Sequence, residues 1–279
     1  MLTVKQAQQQ NTQKLLPFSD TARMDVDILL GFCLDKTRVW LITWPEVALT
    51  AQQLADFMRC VERRIEGEPI AYIVGEQEFW SLPFKVNAHT LIPRPETELL
   101  VELALERKLL PDASVLDLGT GSGAIPLALK SERPLWQVKA LDLSQEAVDV
   151  ARANGVALSL DVDFVASDWF SMVHNETFDL IISNPPYIDP QDAHLSQGDV
   201  RFEPDSALVA DEGGYGDIRR ICEAAMGYLR PDGVLMFEHG FEQGEGVRSI
   251  LSKNGFQGIE TINDLAGLER VTLGCRVVK

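Results

Sequence analysis

Cysteine is scarce and scattered in this chain: Cys33, Cys60, Cys222 and Cys275 form no C-x-x-C pair and no metal-ligand rhythm, which excludes a disulfide framework and a zinc module. Long apolar runs are missing as well. No stretch approaches the roughly 20 residues needed to span a bilayer, and no basic segment leads into an apolar one near the N-terminus. Together these absences predict a cytoplasmic chain with reduced thiols, no metal site and no membrane contact. Positive charge is also in short supply, with 25 Lys and Arg against 42 Asp and Glu and a formal net charge of −17. The imbalance is local: residues 1–75 hold nine acids and eight bases, leaving 33 acids and 17 bases beyond them. A surface this negative repels phosphate backbones, whose neutralisation supplies most non-specific nucleic-acid affinity. Duplex DNA is therefore a poor candidate substrate. Internal repeats and low-complexity tracts are not found either.

What remains is a chain of 279 residues, 46% of them hydrophobic, enough for two cores. Residues 1–72 read as a small helical bundle. Thr50-Ala51-Gln52-Gln53 has capping-box form, and Leu54, Phe57, Met58, Val61 and Ile65 follow at helical spacing. An earlier helix starts at Ser19-Asp20 with Met24, Ile28, Leu29 and Phe32 as its apolar stripe, and another is expected after Thr3; these stripes are read as core. Residues 73–92 form a hairpin connector, with Phe79-Trp80 and Phe84-Lys85-Val86 on either side of Leu82-Pro83. A third segment, 93–279, begins near Ile92-Pro93-Arg94-Pro95-Glu96-Thr97-Glu98, where acids complement the start of a helix reaching about Leu110. After Pro111 strands at 114–118, 138–141, 162–165, 178–183, 233–237 and 270–278 alternate with helices at 124–130, 145–154, 217–229 and 244–253. That alternation predicts an α/β fold with a parallel sheet covered on both faces.

The chemistry clusters at strand ends, where open α/β sheets bind ligands. Asp117-Leu118-Gly119-Thr120-Gly121-Ser122-Gly123 follows the first strand of the sheet and opens a helix, so its glycines allow a tight turn and close approach of a ligand to backbone donors. Its spacing is G-x-G-x-G, unlike the G-x-G-x-x-G of dinucleotide sites. Asp142 ends the next strand and can accept both hydroxyls of a ribose. Ser167-Asp168-Trp169-Phe170 adds a carboxylate and a broad aromatic face suited to an adenine. Asp117 and Asp142 would oppose a pyrophosphate but favour an ammonium or sulfonium, and S-adenosylmethionine meets all of these demands. Asn184-Pro185-Pro186-Tyr187 follows the buried run Leu180-Ile181-Ile182. Its prolines fix φ and remove two donors, leaving carbonyls beside an amide side chain and an aromatic ring. Such a turn accepts hydrogen bonds from a planar NH2 group, whether of a glutamine amide or of an adenine. His89, His174, His194 and His239 are not needed as bases, because a proton can leave after transfer.

With these residues in view the chain resembles the class I S-adenosylmethionine-dependent methyltransferases and, more narrowly, the protein-(glutamine-N5) methyltransferases of peptide chain release factors, the PrmC/HemK family. The resemblance runs over almost the full length. It is carried by the helical N-terminal part, the Ile92 to Glu98 segment, the Asp117 to Gly123 loop, Asn184 to Tyr187, and Arg201-Phe202-Glu203-Pro204. It implies a seven-stranded, mostly parallel sheet with the last strand antiparallel, S-adenosylmethionine as methyl donor and S-adenosylhomocysteine as product. The substrate it implies is the glutamine of the Gly-Gly-Gln motif of a release factor, and the state it implies is a monomer with no nucleic-acid substrate. By the same resemblance Asp117, Gly119, Thr120, Gly121, Ser122, Gly123, Asp142, Asp168, Trp169 and Asn184 hold the cofactor, while Asn184, Pro185, Pro186 and Tyr187 receive the glutamine. Arg94, Glu96 and Arg201 to Pro204 are expected to shape the substrate mouth. The near-neutral charge of the N-terminal bundle, in contrast to the acidic remainder, leads to the expectation that residues 1–72 recognise the partner. Alternative substrates for the same turn are a glutamine of a ribosomal protein and the N6 amine of adenine in nucleic acid. A protein that keeps the fold and binds the cofactor without turnover is the reading from another class.

Overall fold

The computed structural model describes residues 1–196 and 198–277; Val278, the end of the expected last strand, lies outside them. Two units emerge, one made of residues 1–76 with 196–202 and the other of 77–195 with 203–279.

In the first unit, helices α1 (Val4–Leu15), α2 (Ala22–Leu34), α3 (Arg38–Thr43), α4 (Ala51–Ile65) and α5 (Ile70–Val74) surround a core of Val4, Leu15, Val26, Leu29, Leu30, Leu41, Phe57 and Val61. Thr3 and Thr50 each close a capping box with a glutamine three residues on, satisfying two orphan donors apiece. The buried Asp25 holds Arg64, and Arg64 also reaches Asp199, both at 2.8 Å. One expectation is overturned here. Met24, Ile28 and Phe32 are not core; they are 51%, 40% and 51% exposed. The helix is apolar on two faces, and Ala22, Val26, Leu29 and Leu30 on the other face take the interior. Three residues spaced four apart cover one side of a helix, so α2 carries an apolar stripe on its outside.

The chain continues with the hairpin β1 (Glu76–Phe79) and β2 (Leu82–Lys85), which from Gln77 on belongs to the second unit. Its turn is Trp80-Ser81, both at positive φ (53° and 57°), the backbone that matches the twist of paired strands. Leu82 and Pro83 belong to β2 rather than to the turn. Pro95–Thr97 forms a single 3-10 turn leading into α6 (Glu98–Glu106), which stops short of Leu110. There follow β3 (Ser114–Leu118), α7 (Ala124–Glu132), β4 (Gln137–Asp142), α8 (Gln145–Leu158), β5 (Asp163–Ala166) and β6 (Phe178–Ser183). Beyond a long loop come the single turn α9 (Asp211–Gly214), α10 (Gly216–Ala225), β7 (Leu229–Glu238), α11 (Gly244–Lys253), β8 (Gln257–Asn263) and β9 (Glu269–Cys275).

Seven strands form one sheet in the order β5-β4-β3-β6-β7-β9-β8, with β9 antiparallel to both neighbours and the pairs from β5 to β7 parallel. The class I methyltransferase fold implied above is the fold observed. Leu180 and Ile182 face one apolar layer and Ile181 the other, which is why β6 is a continuous apolar run: both of its faces are covered. Strand order reverses between β3 and β6, which opens a crevice at their carboxyl ends.

Candidate functional site

Register alone brings the polar strand ends into one row. Leu118 pairs with Leu141 and with Ser183, Asp142 with Ala166, and Ser183 with Phe237. The next residues along these strands are therefore Gly119, Leu143, Ser167, Asn184 and Glu238. Ser183 Oγ donates to the Leu118 carbonyl at 2.7 Å, stapling β6 to β3 directly beneath Asn184.

Three glycines of the loop after β3 take positive φ, 76° at Gly119, 53° at Gly121 and 83° at Gly123, a region costly for residues with a Cβ. Each does separate work. A Cβ on Gly119 would meet the Trp169 ring, one on Gly123 would press on Ala151 and Leu127, and one on Gly121 would meet nothing within 4 Å. Gly121 thus bares its backbone to open space, while Gly123 seats the loop on α8. The amides of Gly119 and Thr120 both donate to the Leu141 carbonyl at 2.9 Å, and Gly123 donates to Thr120. Gly121 N–H donates to Asp142 Oδ2 at 2.8 Å and Ser144 N–H to Oδ1 at 2.9 Å. Four amides of the loop are therefore satisfied by protein, so the gain from these glycines is close approach rather than free donors. Asp142 keeps further lone pairs for a ligand, and two backbone donors aim it. Asn154, buried on α8, fixes the loop from behind by donating to the Ser122 carbonyl at 2.9 Å.

Asp117 is the anomaly of the site. It is 0% exposed, neither carboxylate oxygen has a hydrogen-bond partner, and the Thr120 hydroxyl beside it has none. Burial pushes its pKa up to about 7, with Thr120 opposing the rise and Asp142 adding to it. Buried polar groups are nearly always paired, so an orphaned carboxylate behind a glycine loop fits a cationic ligand group. Trp169 stands at φ 46°, with its carbonyl held by Ser167 Oγ at 2.7 Å and Asp217 beside its indole. Asp168 is ion-paired with Arg220 at 3.3 Å at the exposed rim.

A cavity of about 200 Å³ runs past Gly119, Gly121, Asp142, Trp169 and Asn184, and a smaller one of about 40 Å³ lies among Pro93, Arg94, Thr97, Thr120 and Asn184. Gly119, Gly121 and Asn184 line both, so Asn184 stands where the two meet, with Pro186 on the larger one and Pro185 and Tyr187 on neither. Asn184 Nδ2 donates to Thr97 Oγ1 at 3.3 Å. The Tyr187 carbonyl accepts from Gln243 Nε2 at 3.0 Å, and a Cβ on Gly214 would land 2.2 Å from it, so the turn is clamped from outside. Burial raises the Tyr187 phenol well above its ordinary range. Glu203 is buried, accepts the Ile92 amide at 3.1 Å and pairs with Arg94, tying Glu203 to the Ile92–Arg94 segment. His239 is satisfied by the Gly240 carbonyl and Thr272 Oγ1. Sequence reasoning did not find Thr97, His89, Asp217 or Glu238 near this site, and for Glu238 the signal was available in its place at a strand end.

Comparison with known proteins gives concordant matches. Residues 95–207 match the family model described as "Methyltransferase small domain", and residues 6–75 the "PrmC N-terminal domain". The release factor glutamine methyltransferase of Shewanella oneidensis is 52% identical over 94% of this chain and 92% of its own. That of Vibrio cholerae is 53% identical over 92% and 90%, and that of Pseudomonas aeruginosa 51% over 93% and 94%. Among solved structures, a methyltransferase from Pyrococcus furiosus superposes with a TM-score of 0.56 at 18% identity, covering 78% of this chain and 98% of that one. A Thermus thermophilus 16S rRNA N2 G1207 methyltransferase, solved with AdoMet and guanosine, gives 0.51 at 20% identity over 72% and 49%. At such identities the two structures speak for the fold alone.

Proposed function

Because the chain belongs to the release factor glutamine methyltransferase family, we propose that it moves the methyl group of S-adenosylmethionine to the side-chain amide nitrogen of the Gly-Gly-Gln glutamine of peptide chain release factors. The observation that carries this reading is the position of Asn184, on the wall shared by both cavities. One cavity suits the donor and the other the incoming amide. When bound, S-adenosylmethionine supplies a methyl group made electrophilic by its sulfonium. Asp117, whose two oxygens have no hydrogen-bond partner, takes the cationic end. Gly119 to Gly123 admit the ligand to the backbone, Asp142 accepts from the ribose, and Trp169 with Asp168 borders the adenine.

An amide nitrogen is a poor nucleophile because its lone pair is delocalised, so the protein's task is orientation. Asn184 Oδ1 and the Pro185 carbonyl each accept one N–H of the glutamine, fixing its plane and aiming the nitrogen at the methyl carbon. Tyr187 packs on the amide face, and Pro186 keeps the turn rigid. The test is to supply labelled cofactor with a release factor, with ribosomal proteins and with DNA, then locate the product by mass spectrometry. A single methyl on the Gly-Gly-Gln glutamine is expected; label on a ribosomal glutamine or on adenine instead refutes the reading.

Residues 1–72 recognise the body of the release factor. Support comes from the outward stripe of Met24, Ile28 and Phe32 and from exposed Val39, Ile42 and Trp44, apolar surface that marks contact sites. Substituting Met24, Ile28 and Phe32 together by serine is expected to raise KM for the whole factor about tenfold or more, as for loss of anchor residues. Neither kcat nor cofactor affinity should change. Equal KM for variant and parent protein would remove the stripe from the interface.

A further inference from the structure

We propose that Gln243 is a positioning residue for methyl transfer: its side-chain amide holds the far end of the Asn184 to Tyr187 turn, and with it the Pro185 carbonyl that accepts from the substrate. The inference deepens the glutamine methyltransferase reading and rests on it. Pro185 and Pro186 carry no backbone N–H, so the turn cannot be closed by amides of its own at those positions and has to be held by other groups. At its near end the Ser183 hydroxyl bonds the Leu118 carbonyl and Asn184 Nδ2 bonds Thr97 Oγ1. At its far end one peptide plane, between Tyr187 and Ile188, is held on both edges. Gln243 Nε2 donates to the Tyr187 carbonyl at 3.0 Å, and the Ile188 N–H donates to the Leu208 carbonyl at 2.9 Å. The proline rings fix φ at 185 and 186, so few free torsions separate this plane from the Pro185 carbonyl, and a shift of the one moves the other.

Every polar atom of the Gln243 side chain is engaged. Oε1 accepts the Gly240 N–H at 2.8 Å, while Nε2 donates to the Tyr187 carbonyl and, at 3.4 Å, to the Gly214 carbonyl. These partners fix which end of the amide is which, because the reverse would set its oxygen against two carbonyls and its NH2 against an N–H. Helix α11 starts from Gln243, yet the side chain makes no capping bond to that helix, a duty that suits the shorter Ser, Thr, Asp or Asn. The longer side chain reaches to the turn instead. Gly214 leaves the space for this: it stands at φ 85°, and a Cβ there would come within 2.2 Å of the Tyr187 carbonyl oxygen and 2.8 Å of Gln243 Nε2. Gln243 lines neither of the two cavities, so it acts on the reaction through the turn.

The experiment measures kcat and KM on a whole release factor at pH 8, with calorimetric titration of S-adenosylmethionine, for the parent protein, Gln243→Met and Gln243→Glu. Methionine keeps the length of the side chain and removes its donors. Glutamate keeps an acceptor for the Gly240 N–H but sets an acceptor-only group against the Tyr187 and Gly214 carbonyls. Both variants are expected to lose about tenfold to a hundredfold in kcat, the scale for a displacement of about 1 Å at a reacting group, with glutamate no better than methionine. KM for the factor and the dissociation constant of the cofactor should stay within about threefold of the parent values. Parent kcat in either variant overturns the proposal. So does a rate lost in methionine and restored in glutamate, which would leave Gln243 no role beyond holding Gly240. Cofactor binding lost in step with kcat overturns it too, since the residue would then support the fold at large. In each of these cases a parent protein that methylates the release factor keeps the functional reading; a parent that methylates none removes both.

Discussion

Replacing Asn184 by alanine is expected to lower kcat on a release factor by about a hundredfold to a thousandfold, as for loss of a transition-state hydrogen-bond partner. The dissociation constant of S-adenosylmethionine should stay within about threefold of the parent value. The side chain is the acceptor that orients the incoming amide. Its backbone, by contrast, is independent of its side chain: the Ser183 hydroxyl still staples β6 to β3, and Pro185 and Pro186 still fix the turn. Loss is therefore concentrated in the step where the nitrogen must be aimed. Single-turnover methylation read by mass spectrometry, alongside calorimetric titration of the cofactor, separates the two effects. A variant that transfers its first methyl at the parent rate would falsify the role given to Asn184. One with intact rate but weakened cofactor binding would reassign it to the donor pocket.

A second substitution should move binding and stability in opposite directions. Asp117→Asn is nearly isosteric, removes one charge, and is expected to weaken S-adenosylmethionine about a hundredfold, the scale for truncating a buried charge pair. The cofactor-free protein gains from the same change. Burial pushes the Asp117 carboxyl up to about 7 in the fold, from its ordinary 3.8. A raised carboxyl contributes stability below its unfolded pKa that is lost as pH climbs through the folded one. At pH 8 the parent therefore carries a buried anion costing on the order of a few kcal/mol, and asparagine relieves part of it. Melting temperatures without cofactor should be higher for the variant by a few degrees at pH 8, with the gap narrowing as pH falls from about 7 and closing only below the unfolded value of 3.8, where Asp117 is neutral in both states. If the parent is the more stable at pH 8, or if cofactor affinity is unchanged, Asp117 is not the seat of the cationic group.

Much of this site could be read before any coordinates, for identifiable reasons. Strands β3 and β6 are buried on both faces, so their residues form uninterrupted apolar runs, and the polar groups that follow stand out by contrast. Gly119 to Gly123 and Asn184 to Tyr187 are local motifs whose geometry is set within a few residues. What escaped was either weakly patterned or assembled at a distance. Edge strand β8 reads Gln257-Gly258-Ile259-Glu260-Thr261-Ile262-Asn263 and is mostly solvated, leaving little periodicity to see. The short helices α3 and α5 have too few turns to show a face. On α2 the error had another source: a stripe at helical spacing signals an amphipathic face, and this helix has two. Thr97 and Asn184 meet at 3.3 Å only because the 3-10 turn at Pro95–Thr97 lies beside the end of β6, a relation no local window contains. Asp168 was readable as a carboxylate near an aromatic, but its ion pair with Arg220 depends on α10 lying alongside.

The outward stripe of α2 also bears on how copies of this protein treat one another in a crowded solution. Exposed Met, Ile and Phe invite self-adhesion, yet every copy carries a net charge of −17. Residues 1–75, which bear the stripe, are themselves nearly neutral, so the repulsion comes from the acidic remainder of each copy once two molecules come within the roughly 8 Å that screening allows at physiological ionic strength. A basic visitor feels that force reversed and is drawn in. Surplus acidity thus works as a gatekeeper for an adhesive surface, shutting out kin while leaving the door open to strangers of opposite sign.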